Sequence, residues 1–123
     1  MAKRKIVVSV LLFVLILTAC SSSDFDGSRI GDAHQLRMEY KVLNTTDVQL
    51  LEVKQGDSVS FEIVSTAGKL DIVLQKDRDE PVYQGSDIPT GSFQVKIAES
   101  GTYTCSVTGK KAKGSVSIVV KGP

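Results

Sequence analysis

Gly101-Thr102-Tyr103-Thr104-Cys105-Ser106-Val107-Thr108, followed after Gly109–Gly114 by Ser115-Val116-Ser117-Ile118-Val119-Val120, decides the fold. Tyr103, Cys105 and Val107 alternate with Thr102, Thr104 and Ser106, and Val116, Ile118 and Val120 alternate with Ser115, Ser117 and Val119. A period of two sends successive side chains to opposite faces of a strand. Apolar residues in one phase and hydroxyls in the other describe an antiparallel sheet with one buried and one wet face. Gly109 to Gly114, with a glycine at each end and Lys110, Lys111 and Lys113 between, reads as a turn joining the two strands.

The same pattern extends upstream. His34, Leu36, Met38, Tyr40 and Val42 share one phase, with Gln35, Arg37, Glu39 and Lys41 in the other. From Val48 to Val53 the apolar residues change phase, Val48 and Leu50 against Leu51 and Val53, which predicts a bulge or a change of sheet near Leu50. Val59, Phe61 and Ile63 alternate with Ser58, Ser60 and Glu62; Ala67-Gly68 then separates them from Leu70, Ile72 and Leu74. Lys76 to Pro81 reads as a charged loop, Val82-Tyr83 as a short strand, and Phe93, Val95 and Ile97 as the next strand. About eight short strands at spacings near 10 residues, with no helical period, predict an all-β fold. Two antiparallel sheets burying their apolar faces against each other make a β-sandwich, of jelly-roll or immunoglobulin-like kind.

The N-terminus has a different logic. Lys3, Arg4 and Lys5 precede an apolar run from Ile6 to Leu17, interrupted only by Ser9, and the run ends in Leu17-Thr18-Ala19-Cys20. Positive charge, apolar core and small residues, in that order, make a secretory signal. The run is shorter than the roughly 20 residues of a spanning helix. Leu17-Thr18-Ala19-Cys20 resembles the lipobox of bacterial lipoproteins. That resemblance implies cleavage before Cys20, a diacylglycerol on its thiol, and anchoring to the extracytoplasmic face of the cell membrane, or of an outer membrane in a two-membrane cell. Residues 1–19 are then the signal peptide, residues 20–32 (Cys20 and a polar, glycine-containing flexible tether) the link, and residues 33–123 a single domain.

Composition narrows the function classes. The chain carries 15 basic and 14 acidic residues. Loss of Lys3, Arg4 and Lys5 leaves a mildly acidic mature chain, which argues against general nucleic-acid binding. With Cys20 taken by lipid, Cys105 has no intramolecular partner, so the domain must rest on its apolar core and can form no cysteine-based metal site. No cofactor is expected beyond the covalent lipid.

Four groups of side chains carry candidate chemistry. Beyond Lys3, Arg4 and Lys5, Lys110, Lys111 and Lys113 form the only basic cluster, suited to an anionic polymer, headgroup or partner, or simply to keeping a hairpin soluble. Asp77, Asp79 and Glu80 offer oxygen ligands, but the loop lacks the glycine and distant glutamate of a calcium loop, and Lys76 and Arg78 oppose a cation. His34, the only histidine, stands in the apolar phase of its strand, and one histidine makes neither a zinc site nor a triad. Cys105, in phase with Tyr103 and Val107, reads as a buried thiol.

Two further resemblances bear on the C-terminal half. Ser100-Gly101-Thr102-Tyr103-Thr104-Cys105 resembles the Gly-x-Tyr-x-Cys run of immunoglobulin domains, which implies a tyrosine corner at Tyr103 and a core-facing Cys105. Such a corner would place the Tyr103 hydroxyl on backbone across the Glu99-Ser100-Gly101 turn, with Gly101 free to take a positive φ. Tyr83-Gln84-Gly85, Phe93-Gln94-Val95, Gly101-Thr102-Tyr103 and Gly114-Ser115-Val116-Ser117-Ile118 together resemble the small β-sandwich lipoproteins of Gram-positive bacteria, a likeness that brings no activity with it. The expectation is a membrane-anchored, non-catalytic binding or interaction module with an envelope protein or polymer as partner. The alternatives are a small accessory enzyme or redox protein using Cys105 or His34, and a structural component of the envelope.

Overall fold

The computed structural model describes residues 24–123. Seven strands and no helix make up this part of the chain: β1 (Phe25–Asp32), β2 (Gln35–Leu43), β3 (Thr46–Val53), β4 (Ser58–Lys76), β5 (Tyr83–Gly85), β6 (Gly91–Lys96) and β7 (Gly101–Lys121). All pairings are antiparallel. β4 and β7, with 19 and 21 residues, run beside each other from Ser58↔Lys121 to Lys76↔Tyr103. Their register shifts only around Ala67.

That shift divides a β-sandwich into its two layers. In the first layer β7 from Ala112 to Val119 pairs with β2, β2 with β1, and β4 from Ser58 to Ile63 with β6. In the second, β7 from Gly101 to Thr108 pairs with β3, and β4 from Ile72 to Leu74 with β5. β4 and β7 therefore belong to both layers and turn the corner between them. Gly68 (φ +72) and Gly114 (φ +143) make the corner, because a Cβ would stand 2.1 Å from the Lys111 carbonyl oxygen at the first and 1.8 Å from the Val64 carbonyl oxygen at the second. No side chain fits there without moving backbone.

The apolar phases read from the sequence meet between the layers. Leu36, Leu43, Leu51, Val59, Phe61, Ile72, Leu74, Cys105, Val107 and Ile118 are wholly buried, and no polar or charged residue is buried with them. The two open sides close differently. On one side Arg29 of β1 donates from Nε to Asp47 Oδ2 (2.7 Å) and from Nη2 to Gln49 Oε1 (2.9 Å), both on β3. On the other, Phe61, Phe93 and Tyr83 pack as a trio with ring centroids 4.7–5.5 Å apart, drawn from β4, β6 and β5.

Several expectations are corrected. Residues 25–32 are no flexible tether: they form β1, because Phe25 packs on the core and the backbone pairs with β2 along its length. The expected break at Ala67-Gly68 and the expected turn at Gly109–Gly114 are the bends of continuous strands, since the paired strand continues beside each of them. These changes account for seven strands where about eight were expected. β3 keeps an unbroken register with β7, so no bulge occurs near Leu50; Val48 and Leu50 are instead outward apolar residues, 51% and 55% exposed. His34 sits exposed in the β1–β2 turn, its N–H donating to Asp32 Oδ1, because β2 begins one residue later. Cys20 and residues 1–19 lie outside the described residues.

The tyrosine corner is present. Tyr103 is 2% exposed, and its hydroxyl donates to the Glu99 carbonyl oxygen at 2.6 Å. Gly101 does not take a positive φ; its lack of a side chain instead admits the Lys76 stem, whose Cε would lie 2.6 Å from a Cβ. Lys76 Nζ then reaches Glu99 Oε1 at 2.7 Å, and each partner shifts the other towards its charged form, Lys76 upward and Glu99 downward.

Tyr103→Phe keeps the ring and loses the bond to a carbonyl at an exposed turn, so urea unfolding should show a loss of about 0.5–1.5 kcal/mol. Tyr103→Ala opens a cavity and should lose about 3–5 kcal/mol. Parent-like stability in both would remove the corner from the forces that hold β7.

Burial, with the Asp47 charge adding to it, pushes the Cys105 thiol up to about 12 from its ordinary 9.0. The folded state keeps this proton where the unfolded state releases it. Its contribution is therefore complete below about pH 9 and is lost as pH rises through about 12. Native Cys105 should resist iodoacetamide at neutral pH and react once unfolded. Cys105→Val should cost less than about 1.5 kcal/mol at neutral pH. It should also lose less stability than the parent across the alkaline window. Burial also raises Tyr40 and Tyr103, but they act in both chains, so the difference isolates the thiol. Rapid native labelling would show that the site opens.

Candidate functional site

The polar phases of the strands become two outer faces of unlike character. On the second layer, Thr46, Val48, Leu50 and Glu52 of β3 stand opposite Thr108, Ser106, Thr104 and Thr102 of β7. Thr46 and Thr108 share a hydroxyl hydrogen bond of 2.8 Å, and Thr102 Oγ1 donates to Glu52 Oε1 at 2.6 Å. This face is largely uncharged and carries hydroxyls, with two exposed aliphatic side chains among them.

On the first layer the outward residues form cross-strand rows. One row runs Ser28, Glu39, Ser115, Val64; the next runs Ile30, Arg37, Ser117, Glu62, Ser92; a third continues through Gln35, Val119, Ser60 and Gln94. Small serines between longer charged side chains leave a furrow. Its larger end, about 520 Å³, lies between Ser28, Glu39, Lys41, Thr66, Lys113 and Ser115. It adjoins a hollow of about 460 Å³ bounded by Ile30, Arg37, Glu39, Glu62 and Ser117. Smaller depressions beside Ser60, Glu62, Ser92, Gln94 and Lys121 carry it to β6.

The furrow can donate and accept many hydrogen bonds, from five serine hydroxyls and from charged groups of both signs. No histidine or cysteine lines it. In the sequence, Ser60, Glu62, Ser115 and Ser117 read only as the wet phase of their strands, Ser28 and Ile30 as tether, and Lys113 as part of a turn. The signal lay in that phase being serine-rich, Ser58-x-Ser60-x-Glu62 and Ser115-x-Ser117, but which serines are neighbours depends on strand register.

The residues singled out from sequence are dispersed. Cys105 is sealed in the core, and the structure does not bring His34 and Cys105 into one pocket. His34 does share a hollow with Glu52 and Asp57. Both carboxylates are already engaged, Glu52 by Thr102 and Asp57 by the Lys54 N–H at 3.0 Å. Asp77, Asp79 and Glu80 are exposed on the β4–β5 loop, and among the described residues no group of three possible metal ligands converges there or elsewhere. Lys110, Lys111 and Lys113 lie at the bend of β7, where Lys113 reaches the large end of the furrow.

No protein-family model matches the chain, and no curated protein matches its sequence. Solved structures show loose likenesses. A periplasmic inhibitor of g-type lysozyme from Aeromonas hydrophila is 13% identical over 82% of this chain and 90% of its own, with a TM-score of 0.47. A carbohydrate-binding module from Cellvibrio mixtus lichenase 5A, solved with cellotriose, is 11% identical over 82% of this chain and 88% of its own, with a TM-score of 0.45. A Streptococcus pneumoniae structure of accessory secretory proteins 1, 2 and 3 is 13% identical over 81% of this chain and 86% of its own, with a TM-score of 0.38.

Proposed function

We propose that this chain is a lipid-anchored, extracytoplasmic, non-catalytic binding module that holds an extended, polyhydroxylated envelope polymer across the furrow of its first layer. The observation that carries the reading is the furrow floor: Ser28, Ser60, Ser92, Ser115 and Ser117, set between Arg37, Glu39 and Glu62 on successive strands. Hydroxyls and charges of both signs match a ligand that is itself hydroxyl-rich, and a furrow that runs across successive strands suits a chain better than a compact small molecule. The anchoring part rests on Leu17-Thr18-Ala19-Cys20. The non-catalytic part rests on a sealed thiol and on carboxylates near His34 that are committed to structural hydrogen bonds.

Cys20→Ala in the full chain should abolish acylation, leave the precursor uncut, and remove the detergent-phase partitioning of the mature protein. Unchanged cleavage in the variant would refute the anchor.

Binding is tested separately by co-sedimentation of the protein with isolated peptidoglycan. Ser117→Leu fills the furrow floor from an outward position and should weaken binding at least about tenfold. Thr104→Leu on the other face should leave it unchanged. No sedimentation of the parent, or equal loss in both variants, would overturn the furrow as the polymer site.

A further inference from the structure

The bend of β4 and β7 places five lysines at one end of the sandwich. Lys69 and Lys110 stand directly opposite each other across the β4–β7 ladder, and Lys113 lies opposite Ala67. Lys111 takes φ +50, a conformation few non-glycine residues adopt, and Lys41 lies at the same end of β2. All five are exposed. The ion pairs among the described residues, Arg29–Asp47 and Lys76–Glu99, involve none of them. Like charges directly opposite on a sheet destabilise it, so the Lys69–Lys110 pair is a local cost with no structural return in the fold. Carboxylates do lie near: Asp71 two register pairs from Lys69 and Lys110, and Asp26 and Glu39 beside Lys41 and Lys113. Asp71 is occupied by the Asp87 N–H at 2.8 Å.

The same end receives the chain from its N-terminus. The Asn44 N–H donates to the Asp24 carbonyl oxygen (2.8 Å), and the Lys111 N–H donates to Asn44 Oδ1 (3.0 Å). Asp24 is thus one residue removed from Lys111 through hydrogen bonds. Only four peptide steps separate Asp24 from Cys20, at most about 14 Å of extended chain. A lipid on Cys20 would hold the lysine corner close to the bilayer surface, within or near the distance over which surface charge is felt.

We infer that Lys69, Lys110 and Lys111, supported by Lys41 and Lys113, form a docking surface for anionic phospholipid headgroups. It stands the sandwich on the membrane with its bent corner down. The inference rests on the reading of Cys20 as the lipidated residue. An acyl anchor beside a basic patch is a two-signal membrane attachment, in which the patch fixes orientation as well as adding affinity. In this pose the large end of the furrow starts near the headgroups and the furrow leads away from them.

The test uses the purified lipidated protein in vesicles of phosphatidylcholine, with or without abundant phosphatidylglycerol. Lysines are labelled with an amine-reactive ester and read by mass spectrometry. Lys69, Lys110 and Lys111 should be protected by about tenfold relative to Lys54, Lys96 and Lys121. That protection should appear only in anionic vesicles and vanish at high salt. In the Lys69→Gln/Lys110→Gln/Lys111→Gln variant, the remaining reporters Lys41 and Lys113 should lose their protection. Equal labelling in neutral and anionic vesicles overturns the docking surface, as does salt-sensitive protection by soluble lipoteichoic acid alone. The mass of the N-terminal peptide separates the two failures. An unacylated Cys20 defeats the anchor and the docking together, whereas an acylated Cys20 without protection defeats only the docking.

Discussion

The antiparallel ladder between β4 and β7, and the glycine bend that carries it from one layer to the other, is the constraint on which the rest of this structure depends. Every other strand but one pairs with β4 or β7, β2 and β3 with β7 and β5 and β6 with β4, while β1 is reached through β2. A single pair of long strands folded at its middle brings its own two halves face to face. The apolar phase of both halves then meets without any separate connection between layers. The bend requires the positive φ of Gly68 and Gly114 and the bare approach of each to a neighbouring carbonyl. Side chains at either position would push the two strands apart where every other pairing takes its register.

The sandwich closes its two sides with different physics. Arg29 spans from β1 to β3 with a planar guanidinium shared between a carboxylate, an amide oxygen and the Val48 carbonyl, while Gln49 turns its own amide to the Asp32 carbonyl. This side is partly wet, and its value lies in geometry more than in charge energy. The opposite side is closed by the stacked Phe61 and Phe93 rings with Tyr83 tilted against both. There the gain is burial of aromatic area between β4, β5 and β6. With every wholly buried side chain apolar or sulfur-bearing, the interior of the described residues offers nothing to titrate but the Cys105 thiol and the hydroxyls of Tyr40 and Tyr103.

The chemistry that the described residues offer to a partner lies on their surfaces. One outer face is hydroxyl-bearing and nearly uncharged; the other is furrowed, with serines below and charges of both signs above. The bent corner is basic and receives the N-terminal segment, while the far end carries His34 and Lys54. A short link to Cys20 would make this asymmetry directional, holding the basic corner at the membrane and leaving both faces open to the side. Faces built on paired strands suit such a role because their rows are set by register and need no loop to order on binding.

Much of this was legible in the chain. The two-residue period of Tyr103-x-Cys105-x-Val107, Val116-x-Ile118 and Leu36-x-Met38-x-Tyr40 named the buried face of each strand, because burial and alternation are set residue by residue. The Gly101-Thr102-Tyr103 run led to the corner hydrogen bond for the same local reason. What alternation could not reveal is whether a glycine between two strands turns the chain back or bends it onward. Ala67-Gly68 read as a break between strands and Gly109–Gly114 as a turn, and only the partner strand running past each of them makes them bends. Nor could it show that the polar, glycine-containing Phe25–Asp32 is a strand, since its order comes from pairing with β2 rather than from its own apolar content. The furrow and the lysine corner were hidden for a related reason. Ser28, Ser117 and Glu62, or Lys69 and Lys110, become neighbours only through register, a non-local quantity fixed by how whole strands pair. The sequence by itself determined an all-β fold and the buried face of most of its strands, since alternation is local; tertiary pairing alone decided which polar residues stand together, since register is not.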